Sequence, residues 1–324
     1  MHQISHRIVE ANGILVHLAE AGTGPLVLLC HGFPESWYSW RHQIEALSAA
    51  GFHAVAPDMR GYGQTDRPEA IDAYTLFHLV GDMVGVLDAL GSEAAVIIGH
   101  DWGAPVAWHA ALLRPDRFRA VVGLSVPFRP RAKVQPTTAM PRNERAVFYQ
   151  LYFQTPGAAE ADFEEDVHLS MRDTLLRLSG NVPSLNGSDG FSMVPIVGGL
   201  RSRLKEYQSR LLPAWLSEAD LDFYVSEFGR TGFRGALNWY RNIDRNWWLL
   251  GSYAGAKITV PALYIAGERD LVLGFPGAKE RIANLKSYVP QLRQPIFLPG
   301  CGHWTQQERP REVNDAVLSF LRGL

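Results

Sequence analysis

Residues 94–113 read AAVIIGHDWGAPVAWHAALL, and their order of parts decides the fold. A short apolar run rich in β-branched residues, Val96-Ile97-Ile98, reads as a buried strand. It meets the turn Gly99-His100-Asp101-Trp102-Gly103 and then a run that reads as a helix. Strand, glycine-flanked turn and helix are the setting of a nucleophile elbow, the sharp turn that lifts one side chain above a sheet. The lifted residue is usually a serine; here it is Asp101.

Working outward, strand-like runs RIVEA, ILVHLAEAG, PLVLLCHG, HAVAPD and AVVGLSV flank the central one, and helical patterns such as TLFHLVGDMVGVLDALG lie between some of them. Strands alternating with helices predict a mostly parallel, doubly wound sheet covered on both faces. From about Pro127 the pattern turns helical, with apolar residues at Phe163, Val167, Met171, Leu175 and Leu178. A capping signature, Ser217 to Asp220, precedes Leu221, Tyr224, Val225 and Phe228. Strands resume at PALYIAGERD and PIFLPGCGH, and REVNDAVLSFLRGL reads as a closing helix. The organisation expected is a sheet domain at 1–128 and 251–324, with a helical lid, 129–250, inserted into it. Within the lid, residues 179–199 are rich in Gly, Pro and Ser and read as a loop. Its Asn186-Gly187-Ser188 matches a glycosylation sequon, which has meaning only in a secreted chain.

In such folds ligands sit above the carboxyl ends of the strands. Five ends stand out: His31-Gly32-Phe33-Pro34-Glu35-Ser36-Trp37, Asp58-Met59-Arg60-Gly61-Tyr62-Gly63, the elbow, Gly267-Glu268-Arg269-Asp270, and Cys301-Gly302-His303. Nucleophile, acid and histidine in that chain order is the triad order of the α/β-hydrolase fold, which gives Asp101, Asp270 and His303. Glu268 is the rival of Asp270. The Gly61-Tyr62-Gly63 turn lacks the third glycine of a dinucleotide fingerprint. His100, Asp101 and His109 lack metal-ligand spacing, so neither a metal nor a cofactor is expected.

The formal charge of -2 gives no basic surface for nucleic acid or anionic membrane. No apolar run approaches a membrane span, and the first residues lack the apolar core of a signal peptide, so a cytoplasmic monomer or homodimer is expected. Cys30 and Cys301 read as buried thiols.

HGFPESW, DMRGYGQTD, GHDWGA, YQLYFQTPG, GFRGALNWYRN and GCGHWTQQERP, in this order, resemble the soluble epoxide hydrolases of the α/β-hydrolase superfamily over nearly the whole chain, lid included. The stretch from Asn181 to Gly199 departs from that pattern and bears on substrate range. The resemblance implies a small-molecule epoxide substrate and two lid tyrosines, Tyr149 and Tyr240, that donate to the epoxide oxygen. Tyr152, one helical turn from Tyr149, competes for the first place. By analogy with the superfamily, Phe33 and Trp102 supply oxyanion-hole amides, with His31 and Pro34 beside them at the pocket.

The chemistry fits a carboxylate. Free aspartic acid loses its proton near pH 4, so it needs no base to become a nucleophile. It can attack a saturated carbon to form an alkyl ester, which water activated by His303 and Asp270 then hydrolyses. Haloalkane dehalogenases of the same fold typically carry asparagine where Phe33 stands, and fluoroacetate dehalogenases an arginine where Trp102 stands. A non-catalytic ligand-binding protein on this scaffold would not need the triad and both tyrosines.

Overall fold

The computed structural model describes residues 3–181, 193–202 and 209–324. The sequon and most of the Gly- and Ser-rich loop lie outside the described residues.

Eight strands form one sheet: β1 (Ser5–Ala11), β2 (Ile14–Ala21), β3 (Leu26–Cys30), β4 (His53–Pro57), β5 (Ala95–His100), β6 (Phe118–Leu124), and, after a two-stranded ribbon of β7 (Ala146–Phe148) and β8 (Met193–Pro195), β9 (Ala262–Gly267) and β10 (Ile296–Leu298). Their spatial order is β1-β2-β4-β3-β5-β6-β9-β10. All pairings from β4 to β10 are parallel, while β2 runs antiparallel to both neighbours.

The register explains why the central strands carry apolar residues on both faces. Val55, Leu28, Ile97, Val121 and Ala262 stand side by side across five strands and enter one core. Their chain neighbours Ala54, Val27, Val96 and Ala120 align in the same way and enter the other. Alternation along a strand sends successive side chains to opposite faces, and here both faces are covered. Helices Leu76–Ala89 and Gly103–Leu113 cover the first; Arg41–Ala49 and Pro310–Arg322 cover the second.

Between β6 and β9 lie the helices Ala158–Glu164, Val167–Arg177, Glu218–Thr231, Arg234–Arg241 and Ile243–Leu249. The cap at Ser217 forms in both directions: its Oγ accepts from the Asp220 amide at 3.1 Å, and its own amide donates to the Asp220 carboxylate at 2.8 Å. The run from Phe163 to Leu178 is two helices, because Asp166 turns its carboxylate onto the Leu169 amide at 2.9 Å and starts a new one. Phe163 and Val167 keep a helical spacing across that break, so periodicity alone hides it. The helical segment is tied to the sheet domain by Trp239, whose indole N–H donates to the Arg60 carbonyl at 3.0 Å.

Candidate active site

β5 ends at His100, and the next residue, Asp101, has φ of +48°. Only three described residues other than glycine hold positive φ: Asn12, Asp101 and Ser125. The turn closes tightly because the following helix starts against β3; a side chain on Gly103 would collide with the Cys30 carbonyl. Gly32, in the loop after β3, has no room either, since a Cβ there would strike the Asp101 carboxylate and the Trp102 amide nitrogen. This close approach lets the Phe33 amide donate to Asp101 Oδ1 at 2.8 Å.

His303 arrives on the loop after β10. Its imidazole Nε2 stands 3.5 Å from Asp101 Oδ2, and its Nδ1 is 3.1 Å from Asp270 Oδ1. Asp270 follows β9, is buried, and also accepts from the Val272 amide at 3.0 Å. Glu268 is exposed, so geometry separates the two candidate acids. Burial pulls the His303 pKa down, but the adjacent Asp270 and Asp101 carboxylates outweigh it and hold the value well above the ordinary one. Burial likewise favours neutral Asp270, yet His303, the Ser125 hydroxyl and the Val272 amide keep it below the usual carboxylate range.

Opposite Asp101, Tyr149 and Tyr240 are both buried, with ring centroids 6.0 Å apart. Both line a narrow cavity of about 30 Å³ with Asp101, His303, Phe33 and Pro34. A larger, mainly apolar cavity of about 220 Å³ is lined by Asp101, Trp102 and Tyr149. Burial and the nearby Asp101 charge raise both phenols above their ordinary pKa, which keeps them protonated donors. Gln150 Nε2 donates to the Tyr149 hydroxyl at 3.0 Å, which leaves the phenol proton to be given elsewhere. Tyr152 lines neither cavity; its hydroxyl donates to Asp162 at 2.7 Å.

Residues 25–310 match the family described as alpha/beta hydrolase fold. Epoxide hydrolase A of Mycobacterium tuberculosis is 48% identical over 99% of this chain and 98% of its own length. The chain belongs to the epoxide hydrolases of the alpha/beta hydrolase fold. Epoxide hydrolase 3 of Siraitia grosvenorii is 45% identical over 99% of each chain. The solved epoxide hydrolase from an endophytic Streptomyces superposes with a TM-score of 0.93 at 47% identity, covering 99% of this chain and 96% of its own.

In this epoxide hydrolase His31 stands apart from the other expected pocket residues. His31 does not line either cavity, because both ring nitrogens are engaged inside the protein: Nε2 accepts from the Met59 amide at 3.0 Å, and Nδ1 faces the Gly32 carbonyl at 3.0 Å. It braces the loop that carries Phe33. Cys30 and Cys301 are buried free thiols, as read. Among the described residues no helix is long and apolar enough to cross a membrane, and no three His, Cys, Asp or Glu side chains are grouped to hold a metal ion.

Two supports went unread in the sequence. Glu308 gathers the amides of Gly180 at 2.9 Å, Gly302 at 3.0 Å and Trp304 at 3.1 Å, so it shapes the His303 loop. Glu35 accepts from the Gly32 amide at 2.9 Å and bonds His100 Nδ1 at 2.7 Å, while His100 Nε2 reaches the His303 carbonyl at 2.7 Å. One relay thus joins the amide-bearing loop to the histidine loop.

Burial works to raise the Glu35 pKa, but His100 and His31 beside it bring it down from 4.5 to about 2. A depressed carboxylate stabilises the fold above its unfolded pKa, and that contribution is lost as pH falls from 4.5 toward 2. Glu35→Gln is therefore expected to lose on the order of 1–3 kcal/mol of stability at pH 7, and the difference from the parent should shrink in melts run below pH 4.5. A constant difference from pH 7 to pH 3 would refute this.

Proposed function

We propose that the chain hydrolyses small-molecule epoxides to vicinal diols through an ester on Asp101. The observation that carries this reading is the Asp101 carboxylate itself, with Oδ1 on the Phe33 amide, Oδ2 facing His303, and two buried phenols opposite. Oδ2 attacks an oxirane carbon; the ring C–O bond breaks, and the alkoxide takes a proton from Tyr149 or Tyr240, while the other phenol hydrogen-bonds to the same oxygen. His303 then takes a proton from water as that water attacks the Asp101 carboxyl carbon. The oxyanion on Oδ1 faces the Phe33 and Trp102 amides. The carboxyl carbon's bond to Oδ2 breaks, the leaving oxygen takes the proton from His303, and the acid proton left on Asp101 passes to His303, which restores the imidazolium and carboxylate of the resting enzyme.

The electrostatics support the order of steps. Esterification removes the Asp101 charge, one of the two that raise the His303 pKa, so the resting imidazolium gives its proton to the tyrosinate left by ring opening and is then free to act as base. Residues 129–250 act as the lid that brings the tyrosines over the nucleophile, and 1–128 and 251–324 as the catalytic domain. The reading needs no cofactor, and its setting is the cytoplasm, as a monomer or homodimer; buried free thiols at Cys30 and Cys301 call for no oxidising compartment.

A single turnover in oxygen-18 water with enzyme in excess tests the route. Label is expected in the peptide that contains Asp101. Label confined to the diol would mean direct attack by water and would end the covalent reading.

A further inference from the structure

Ser125 follows β6 directly, is fully buried, and holds φ of +68°. A left-handed backbone costs a serine strain that glycine avoids, so strain retained at this place asks what the side chain supplies. Of the three described residues other than glycine with positive φ, Asn12 turns the β1–β2 hairpin and Asp101 is the nucleophile. The third puts its hydroxyl oxygen 3.1 Å from His303 Nδ1, the same distance as Asp270 Oδ1. The backbone around it is fixed on both sides: the Ser125 amide donates to the Ile265 carbonyl at 2.8 Å, and its carbonyl accepts from the Tyr264 hydroxyl at 2.7 Å.

Proton counting assigns the bonds. If Nε2 is to receive a proton from water, Nδ1 carries the ring's one N–H and is a donor only. The Ser125 oxygen can then only accept from it, alongside Asp270 Oδ1. The hydroxyl's own proton needs another acceptor: the Asp270 carboxyl shares His303 Nδ1 with Ser125, and its buried Oδ2 makes no hydrogen bond to any described residue in this geometry, Ser125 included, so that acceptor is open. The Ser125 hydroxyl contributes to holding that carboxyl ionised. We propose that Ser125 is a positioning residue for the base: it donates to the Asp270 carboxylate, accepts from His303 Nδ1–H, and so fixes the tautomer that leaves Nε2 open to water. The proposal rests on the reading of His303 and Asp270 given above. It separates two properties that the backbone and the side chain of one residue supply, since glycine suits the conformation better and lacks the hydroxyl.

Ser125→Gly therefore removes the hydroxyl and relieves the backbone, and Ser125→Ala removes the hydroxyl alone. Rapid-mixing kinetics on both should show ester formation near the parent rate and ester hydrolysis slowed roughly 10- to 100-fold, the scale of a hydrogen bond to a charged group. Because Ser125 acts through Asp270, adding Ser125→Gly to Asp270→Asn should slow hydrolysis little beyond Asp270→Asn alone. Parent-rate hydrolysis in the glycine variant, a loss seen only in the alanine variant, equal losses in both steps, or full additivity in the double variant would each overturn the proposal. His303→Gln run beside them tells the two readings apart: if it does not block ester hydrolysis, the base itself is wrong; if it does and Ser125→Gly hydrolyses normally, only Ser125 is.

Discussion

His303→Gln is expected to form the ester and then stop. Glutamine keeps much of the volume of the buried imidazole but cannot take a proton from water, whereas the attack by Asp101 on the epoxide needs no base. General base catalysis is worth about 100- to 10,000-fold, so hydrolysis should fall by that factor while alkylation persists. Mass spectrometry of the variant after brief exposure to an aryl epoxide should show each chain heavier by one substrate, with the addition on the Asp101 peptide. Asp101→Asn treated in the same way should gain nothing. A His303→Gln protein that turns over at the parent rate would show that the base lies elsewhere.

The tyrosine variants carry the second large effect and act on the other half of the reaction. Tyr149 and Tyr240 converge on one cavity, and both phenols are held protonated by burial and by the Asp101 charge. An opening epoxide produces a strongly basic alkoxide, while a departing halide needs hydrogen bonds only. Tyr149→Phe or Tyr240→Phe leaves one donor in place and should slow alkylation by a large part of the roughly 100- to 10,000-fold that acid assistance supplies; the double variant should lose nearly all of it. Hydrolysis of the ester, at a carbon remote from both hydroxyls, should change little in pre-steady-state measurements. Tyr152→Phe should leave both steps near the parent rate, because that hydroxyl is bonded to Asp162. Normal epoxide opening by the double variant, or faster release of halide from haloalkanes than of diol from epoxides, would sink the epoxide reading.

The elbow could be read in the sequence because its causes are local: a strand that must be apolar on both faces, and a turn with no space for a Cβ at Gly103. The same holds for the strand ends that deliver Asp270 and His303. Choices between neighbours were not local. Glu268 and Asp270 differ by two residues on one loop, and only the fold turns one to solvent and buries the other. Tyr149 and Tyr152 are separated by the path of a four-residue helix and by a carboxylate ten residues away from Tyr152. His31 sits beside the amide-bearing loop in the sequence, yet its ring turns inward to Met59, a partner 28 positions on. Ser125 did leave a signal: it directly follows a strand, as Asp101 does, but AVVGLSV reads first as packing. Glu35 and Glu308 act through amides gathered from several loops, and no spacing in the chain announces such a convergence.

The bond from the Phe33 amide to Asp101 Oδ1 also makes the two carboxylate oxygens unequal over the lifetime of the protein. In the proposed cycle, Oδ2 leaves with the diol and an atom from water takes its place, while Oδ1 stays fixed to the amide. The nucleophile is thus rebuilt from solvent at every turnover, one oxygen permanent and one on loan, and each diol carries away an atom that an earlier water molecule left behind.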